Sequence, residues 1–181
     1  LREPLESGTV YLARAACSVR YPARFQLVAA KNPCICGHAG APLVECRCSA
    51  AQLSQYRARI SGPLLDRIDL QVRVDREPPL LLLAEDDAES SEEVATRVAH
   101  IAEIQEKRGY RNAQLRGKAL FTACALASAE RDMLASAADK LRMSSRAVER
   151  TLRVARTIAD FDGAEHVGRS AISEALGYRL S

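Results

Sequence analysis

The chain has 181 residues, 48% of them hydrophobic, 27% charged and 4% aromatic, with no Trp and a formal net charge of +3. This is enough for one medium domain or two small ones, with a core built from Leu, Val, Ile and Ala. The longest apolar stretch, Leu80 to Ala84, is far below the ~18 residues of a membrane span, and the start LREPLESGTV lacks the pattern of a signal peptide. The expectation is a cytoplasmic chain with no membrane partner and reduced thiols.

LREPLE reads as the end of a helix rather than the start of a protein, so a fragment is expected. Thr9–Ala13 and Ser18–Tyr21 are β-prone runs separated by Ala15–Cys17, which predicts a hairpin. Phe25–Ala30 (FQLVAA) is a continuous apolar run and predicts a buried strand of a parallel sheet. Asn32-Pro33 ends it. Ala50–Ile60 reads as helix, broken by Ser61-Gly62-Pro63. Ile68–Val74 (IDLQVRV) alternates, predicting a half-buried strand.

Composition then shifts. Pro78-Pro79 and the acidic Glu85–Glu89 stretch read as a linker. Ser90 with Glu93 forms a capping box opening a helix with Val94, Val98 and Ile101 on one face. Residues 109–117 read as a polar loop, followed by helical patterns over 119–141, 145–160 and 169–177. The predicted organisation is an α/β part over 1–76, a linker over 77–89 and an all-α part over 90–181.

The segment NPCICGHAGAPLVECRC (32–48) holds Cys34, Cys36, Cys46 and Cys48 in two C-x-C pairs. Gly37, Gly40 and Pro42 let the loop fold back, so four thiolates can meet around a tetrahedral zinc ion at ~2.3 Å each. Arg47 can offset thiolate charge, and His38 is a spare ligand. A disulfide within C-x-C would be strained, and cross-pair disulfides need oxidation. The competing view is four reduced cysteines in a surface loop. With four sulfurs no ligand position stays open, so the zinc would be structural. Cys17 and Cys124 are expected to be packed or inert.

Ser144-Ser145 can cap the helix that follows. On it Arg146, Arg150 and Arg153 fall within about 60° of one another. Val148, Leu152, Ala155 and Ala159 lie opposite, widened by Val154 and Ile158. The arginine row is either a solvated charged face or a phosphate-binding face.

LREPLESG, YPARFQLVAAKNPCICG, ECRCS, RISGPLLDRIDLQV, NAQL and SSRAVERTLRVARTIADFDG together resemble the second half of the Mg-chelatase-like AAA+ ATPases of the ComM/YifB competence type. The resemblance runs in order over nearly the whole chain. It implies an α/β plus all-α fold: the later half of an AAA+ P-loop core, with parallel strands, a β-hairpin and a Cys-rich loop, followed by a helical C-terminal lid. It also implies a hexameric, ATP-driven ring acting on single-stranded or branched DNA, with branch migration in recombination and natural transformation as the activity.

By the same resemblance, Asn32 matches the sensor-1 position, where an amide at a strand tip can hold the attacking water or γ-phosphate. Its bland alternative is an Asn-Pro turn. Arg67 matches the arginine finger, reaching a neighbouring subunit's ATP; the alternative is a salt bridge with Asp66 or Asp69. Arg146 matches sensor 2, with Arg150 a second candidate for the nucleotide. Arg14 and Arg20 on the hairpin would contact the DNA backbone, or are ordinary exposed arginines.

Two positions depart from the family pattern: Lys31 stands where Met is usual and Cys17 where Gly is usual. No G-x-x-x-x-G-K-[ST] occurs in these 181 residues, nor an acidic Walker-B strand. ATP and Mg²⁺ are therefore expected only in the full-length family context, and the isolated chain is expected to be inactive. Two alternatives stand beside the DNA motor: an ATP-independent nucleic-acid or protein binding module, and a magnesium-chelatase-type subunit.

Overall fold

The computed structural model describes residues 2–14, 17–41, 44–60, 62–74 and 88–179. They group into two compact units. One takes the described residues up to Ile68 together with Val74; the other takes Asp69–Arg73 and the described residues from 88 onward. Of the predicted linker, residues 77–87 lie outside the described residues.

The first unit opens with α1 (Arg2–Ser7). Gly8 turns the chain at φ +67, where a Cβ would stand 3.1 Å from the Arg24 side chain. Glycine takes this left-handed conformation without the Cβ penalty. The predicted hairpin follows as β1 (Thr9–Arg14) and β2 (Cys17–Pro22), antiparallel, with Tyr11 opposite Arg20 and Leu12 opposite Val19. Helix α2 (Ala50–Ala58) starts at a Ser49–Gln52 capping box, and α3 (Gly62–Leu65) is a single short turn.

Two predicted strands are not strands. Residues 25–30 and 68–74 carry no ladder pairing, and the β1–β2 pair is the sheet of the described residues. A strand exists only with a neighbour to take its N–H and C=O groups. Without one, the apolar side chains stay in solvent: Val28 is 84% exposed and Val72 66%. The parallel sheet expected from FQLVAA therefore has no counterpart here.

The second unit is helical: α4 (Ser91–Lys107), a 3₁₀ turn (Asn112–Gln114), α5 (Gly117–Cys124), α6 (Ser128–Lys140), α7 (Ser145–Phe161) and α8 (Arg169–Gly177). The predicted Ser90–Glu93 capping box is formed, and Ser144 caps α7 through the Ala147 N–H. Leu120, Cys124, Leu134, Leu152, Ala155, Ala159, Val167 and Ile172 build one core, with Val148, Val154 and Ile158 packed against it. On α4, Ile101 is buried while Val94 and Val98 are exposed.

The single helical pattern over 119–141 is two helices. They part at Ala125, which sits at φ 45. The cause is tertiary. The Cys124 carbonyl accepts the Val167 N–H at 2.9 Å and the Ala123 carbonyl accepts from Arg156 at 3.4 Å, so the last turn of α5 spends its carbonyls on other parts of the chain. The loop over 109–117 is also less polar in its setting than expected, because Asn112 and Leu115 are buried. Among the described residues, no helix is long and apolar enough to cross a membrane.

Candidate functional site

The four loop cysteines converge. Their Sγ atoms all lie within 4.8 Å of one another. Cys34 and Cys36 are 3.3 Å apart, Cys34 and Cys46 3.7 Å, and Cys36 and Cys46 3.6 Å. Four sulfurs bound tetrahedrally to one ion would stand about 3.8 Å apart, and none of the four is in a disulfide. The donor set can hold a metal ion.

Local geometry produces the convergence. Gly37 and Gly40 take φ +81 and +78, and the Gly37 N–H closes a turn on the Cys34 carbonyl at 3.1 Å. The Ala39 N–H points at Cys34 Sγ, 3.3 Å away. The second pair runs straight into the α2 cap at Ser49. Two turns along α2, Tyr56 donates its hydroxyl to the Asn32 carbonyl at 3.1 Å. One helix thus pins both ends of the loop.

The thiols differ in acidity. The His38 backbone N–H, then the Cys34 thiol and the Arg47 N–H, hold Cys36 down at about 6. At Cys46 the Cys48 N–H favours the thiolate, but burial and the adjoining sulfurs outweigh it and push the group up to about 12. Cys34 is likewise held below the ordinary thiol value and Cys48 above it, so two thiolates are favoured and two resisted, the pattern expected of crowded like charges that a cation would relieve.

Cys34 is also the buried residue of the first unit; its other described residues are partly or fully exposed. Cys124 fulfils the expectation of an inert core thiol: it is buried, its Sγ faces the Leu152 carbonyl, and burial raises its pKa to about 11. Cys17 is not packed: it lies exposed on β2.

Asn32 is exposed at the mouth of the loop. Arg67 pairs with Glu6 of α1 and donates to the Pro63 carbonyl at 2.6 Å. Arg20 is exposed on the hairpin; Arg14 ends β1, and its side chain lies outside the described residues.

On α7 the arginines are not one solvated row. Arg146 is exposed on the first turn, Arg150 is partly covered and Arg153 is buried. Arg150 donates to Asp69 at 2.8 Å; Arg153 stands 3.9 Å from the same carboxylate and donates to the Leu115 carbonyl at 3.3 Å. Burial, with Arg116 and Arg150 nearby, lowers Arg153 to about 10.

Sequence reasoning missed the densest polar cluster. Arg156, 1% exposed, and Asp160 are both buried on α7. Asp160 also accepts from Arg108 at 2.6 Å and from Asn112 at 2.7 Å. Arg156 further donates to the carbonyls of Ala123, Ala164 and Glu165. Burial alone would raise the Asp160 pKa, but the hydrogen bonds from Arg108 and Asn112 and the two guanidinium charges hold it below its ordinary value. The available signal was an Arg–Asp pair at i,i+4 beside the apolar stripe.

The chain matches two adjoining family models: magnesium chelatase, subunit ChlI, over residues 1–80, and magnesium chelatase, subunit ChlI C-terminal, over residues 88–179. The chain belongs to this Mg-chelatase-like family. Within it, the chain is 42% identical over 181 residues to the competence protein ComM of Haemophilus influenzae and 41% identical to YifB of Escherichia coli, an uncharacterized protein. Both alignments cover 99% of this chain and 35% of the relative, so the chain spans about a third of the length of these relatives. The magnesium-chelatase 38 kDa subunit of Cereibacter sphaeroides is 31% identical over 199 residues, covering 99% of this chain and 49% of that protein.

Proposed function

We propose that this chain is the later part of an ATP-driven, AAA+-type motor that acts on DNA, of the kind that moves branched strands during recombination and natural transformation. What supports this most is the similarity to ComM over 99% of the chain. The 31% identity to the chelatase subunit makes metal insertion the weaker alternative. In a hexameric ring, Asn32 would sense the γ-phosphate, Arg67 would reach a neighbour's nucleotide, and Arg146, seconded by Arg150, would act from the helical lid. Residues 25–30 and 68–74, apolar and without ladder partners, would be sheet strands whose neighbours the rest of the motor supplies. Residues 1–76 would then be core, and 90–181 lid.

The cysteine cluster is a structural zinc site in this proposal. Four sulfurs fill a tetrahedral shell and leave no position for a substrate. The first unit buries little beyond Cys34, and units with so small a core need a staple. The metal would fix the loop that starts at Asn32.

The test is ATP turnover by the purified chain, alone and mixed with the P-loop-bearing segment of a ComM-type relative, with branched DNA present. The chain alone should give no turnover. The mixture should hydrolyse ATP, and Arg67→Ala should remove that activity. Turnover by the chain alone, or an active mixture indifferent to Arg67→Ala, would overturn the assignment. A second reading, a nucleic-acid binding module independent of ATP, is favoured by the exposed hairpin carrying Arg20; it predicts DNA binding unaltered by nucleotide in the mixture.

A further inference from the structure

The chain passes from one compact unit to the other between two neighbouring residues: Ile68 belongs to the first unit and Asp69–Arg73 to the helical one. Two bonds tie this short segment to the helices. The Asp69 carboxylate accepts from Arg150 on α7 at 2.8 Å, with Arg153 3.9 Å from the same oxygen. The Gln71 N–H donates to the Tyr178 carbonyl at 2.7 Å. The Arg150 and Arg153 side chains are 13% and 10% exposed, that of Asp69 53%. A pair between two long exposed side chains fixes little. Here a short carboxylate lies on two nearly covered cations of one helix, so its position follows α7.

The other side of the crossing is also tied down. The Asp66, Arg67 and Ile68 N–H groups donate to the Gly62, Leu64 and Leu65 carbonyls at 2.9, 2.9 and 3.0 Å. Arg67 therefore rides at the end of the α3 turn, with Ile68 alone between it and Asp69. Two steps of backbone span at most about 7 Å, so the link has little slack. The Arg67 guanidinium meanwhile pairs with Glu6.

We propose that Asp69 is a positioning residue for Arg67: nucleotide held by Arg146 shifts α7, Arg150 carries Asp69 with it, and the short step through Ile68 draws Arg67 off Glu6 toward the neighbouring subunit. Arg146 and Arg150 stand one turn apart on α7, so they move as one body. This rests on the motor proposed above and names how nucleotide in one subunit would govern its neighbour. It also gives Arg150 a duty distinct from that of Arg146, holding a carboxylate of its own chain rather than a phosphate.

The test is steady-state ATP turnover by the whole chain mixed with the P-loop-bearing segment of a ComM-type relative, with kcat and KM separated. Arg146→Gln, which removes a group that holds nucleotide, should raise KM. Asp69→Asn keeps an acceptor for Arg150 but not the charge. It should lower kcat about fivefold or more while KM stays within about twofold. Its melt should stay within about 4 °C of wild type. Arg150→Gln should lower kcat similarly, and the double variant should lose no more than either single one, since both break the same link. Asp69→Glu, which restores the carboxylate, should recover most of the kcat. If Asp69→Asn leaves kcat unchanged, raises KM as Arg146→Gln does, or loses kcat only together with a collapse of the melt, the link is wrong while the motor stands. If the wild-type mixture hydrolyses no ATP, motor and link fall together.

Discussion

Arg156 and Asp160 meet one turn apart on α7, Nη2 to Oδ1 at 2.8 Å, with neither side chain exposed. Such a pair is costly to bury and costlier to break, because the surviving charge is left stranded in a poorly solvated site. Here the cost is met by further partners: Arg108 and Asn112 on the carboxylate and three backbone carbonyls on the guanidinium. The cluster joins α4, the 3₁₀ turn, the end of α5 and the loop before α8.

Asp160→Ala should therefore destabilise the helical unit by about 3–5 kcal/mol, lowering its melting temperature by about 12 °C or more. Thermal melts followed by far-UV circular dichroism check this. A shift within ~2 °C would mean that the cluster contributes little.

The same carboxylate sets an acid limit. Its folded pKa lies below its ordinary value, so its contribution is complete above about pH 4 and is lost as pH falls through the folded value. Urea melts between neutral pH and about pH 3 should show stability falling in that lower window. Asp160→Asn should start less stable and lose less there; parallel acid profiles for variant and wild type would contradict the assignment.

Ala125 holds a left-handed conformation that a Cβ disfavours. Ala125→Gly should raise stability by up to about 1 kcal/mol, because glycine fits that cap and the gain exceeds its extra unfolded-state entropy. The melt should move up by up to about 4–8 °C; a downward shift would mean that the Ala125 methyl group contributes contacts worth more than the strain.

Purified under reducing conditions, the chain should carry about one zinc, measured by elemental analysis. Cys46→Ser should lose it. Chelation should abolish hydrogen-exchange protection in the cysteine loop and at the start of α2 while leaving α5–α8 protected. Protection unchanged after metal removal would show that the loop needs no staple.

What was legible in the sequence was what neighbours in the chain decide. Ser90 with Glu93, Ser144 before α7, the hairpin runs and the two C-x-C pairs are all local signals, and each yields the predicted element or cluster. What was not legible depends on distant partners. FQLVAA has the composition of a buried strand, yet a strand needs another strand beside it. The pattern over 119–141 is helical throughout, and only Val167 and Arg156 reveal the break at Ala125. Arg67 lies between two aspartates in sequence but pairs with Glu6, sixty-one positions away, while Asp69 goes to Arg150.

The break at Ala125 has a consequence for the order in which the chain is made. Helices α5 and α6 leave the ribosome before the groups that close their junction, the Arg156 side chain and the Val167 amide, have been synthesised. Until those arrive, the pattern over 119–141 has no reason to bend and is free to run on as one helix. The junction between α5 and α6 is therefore completed only when α7 and the segment before α8 are in place. A chain arrested before Val167 lacks the amide that closes on the Cys124 carbonyl.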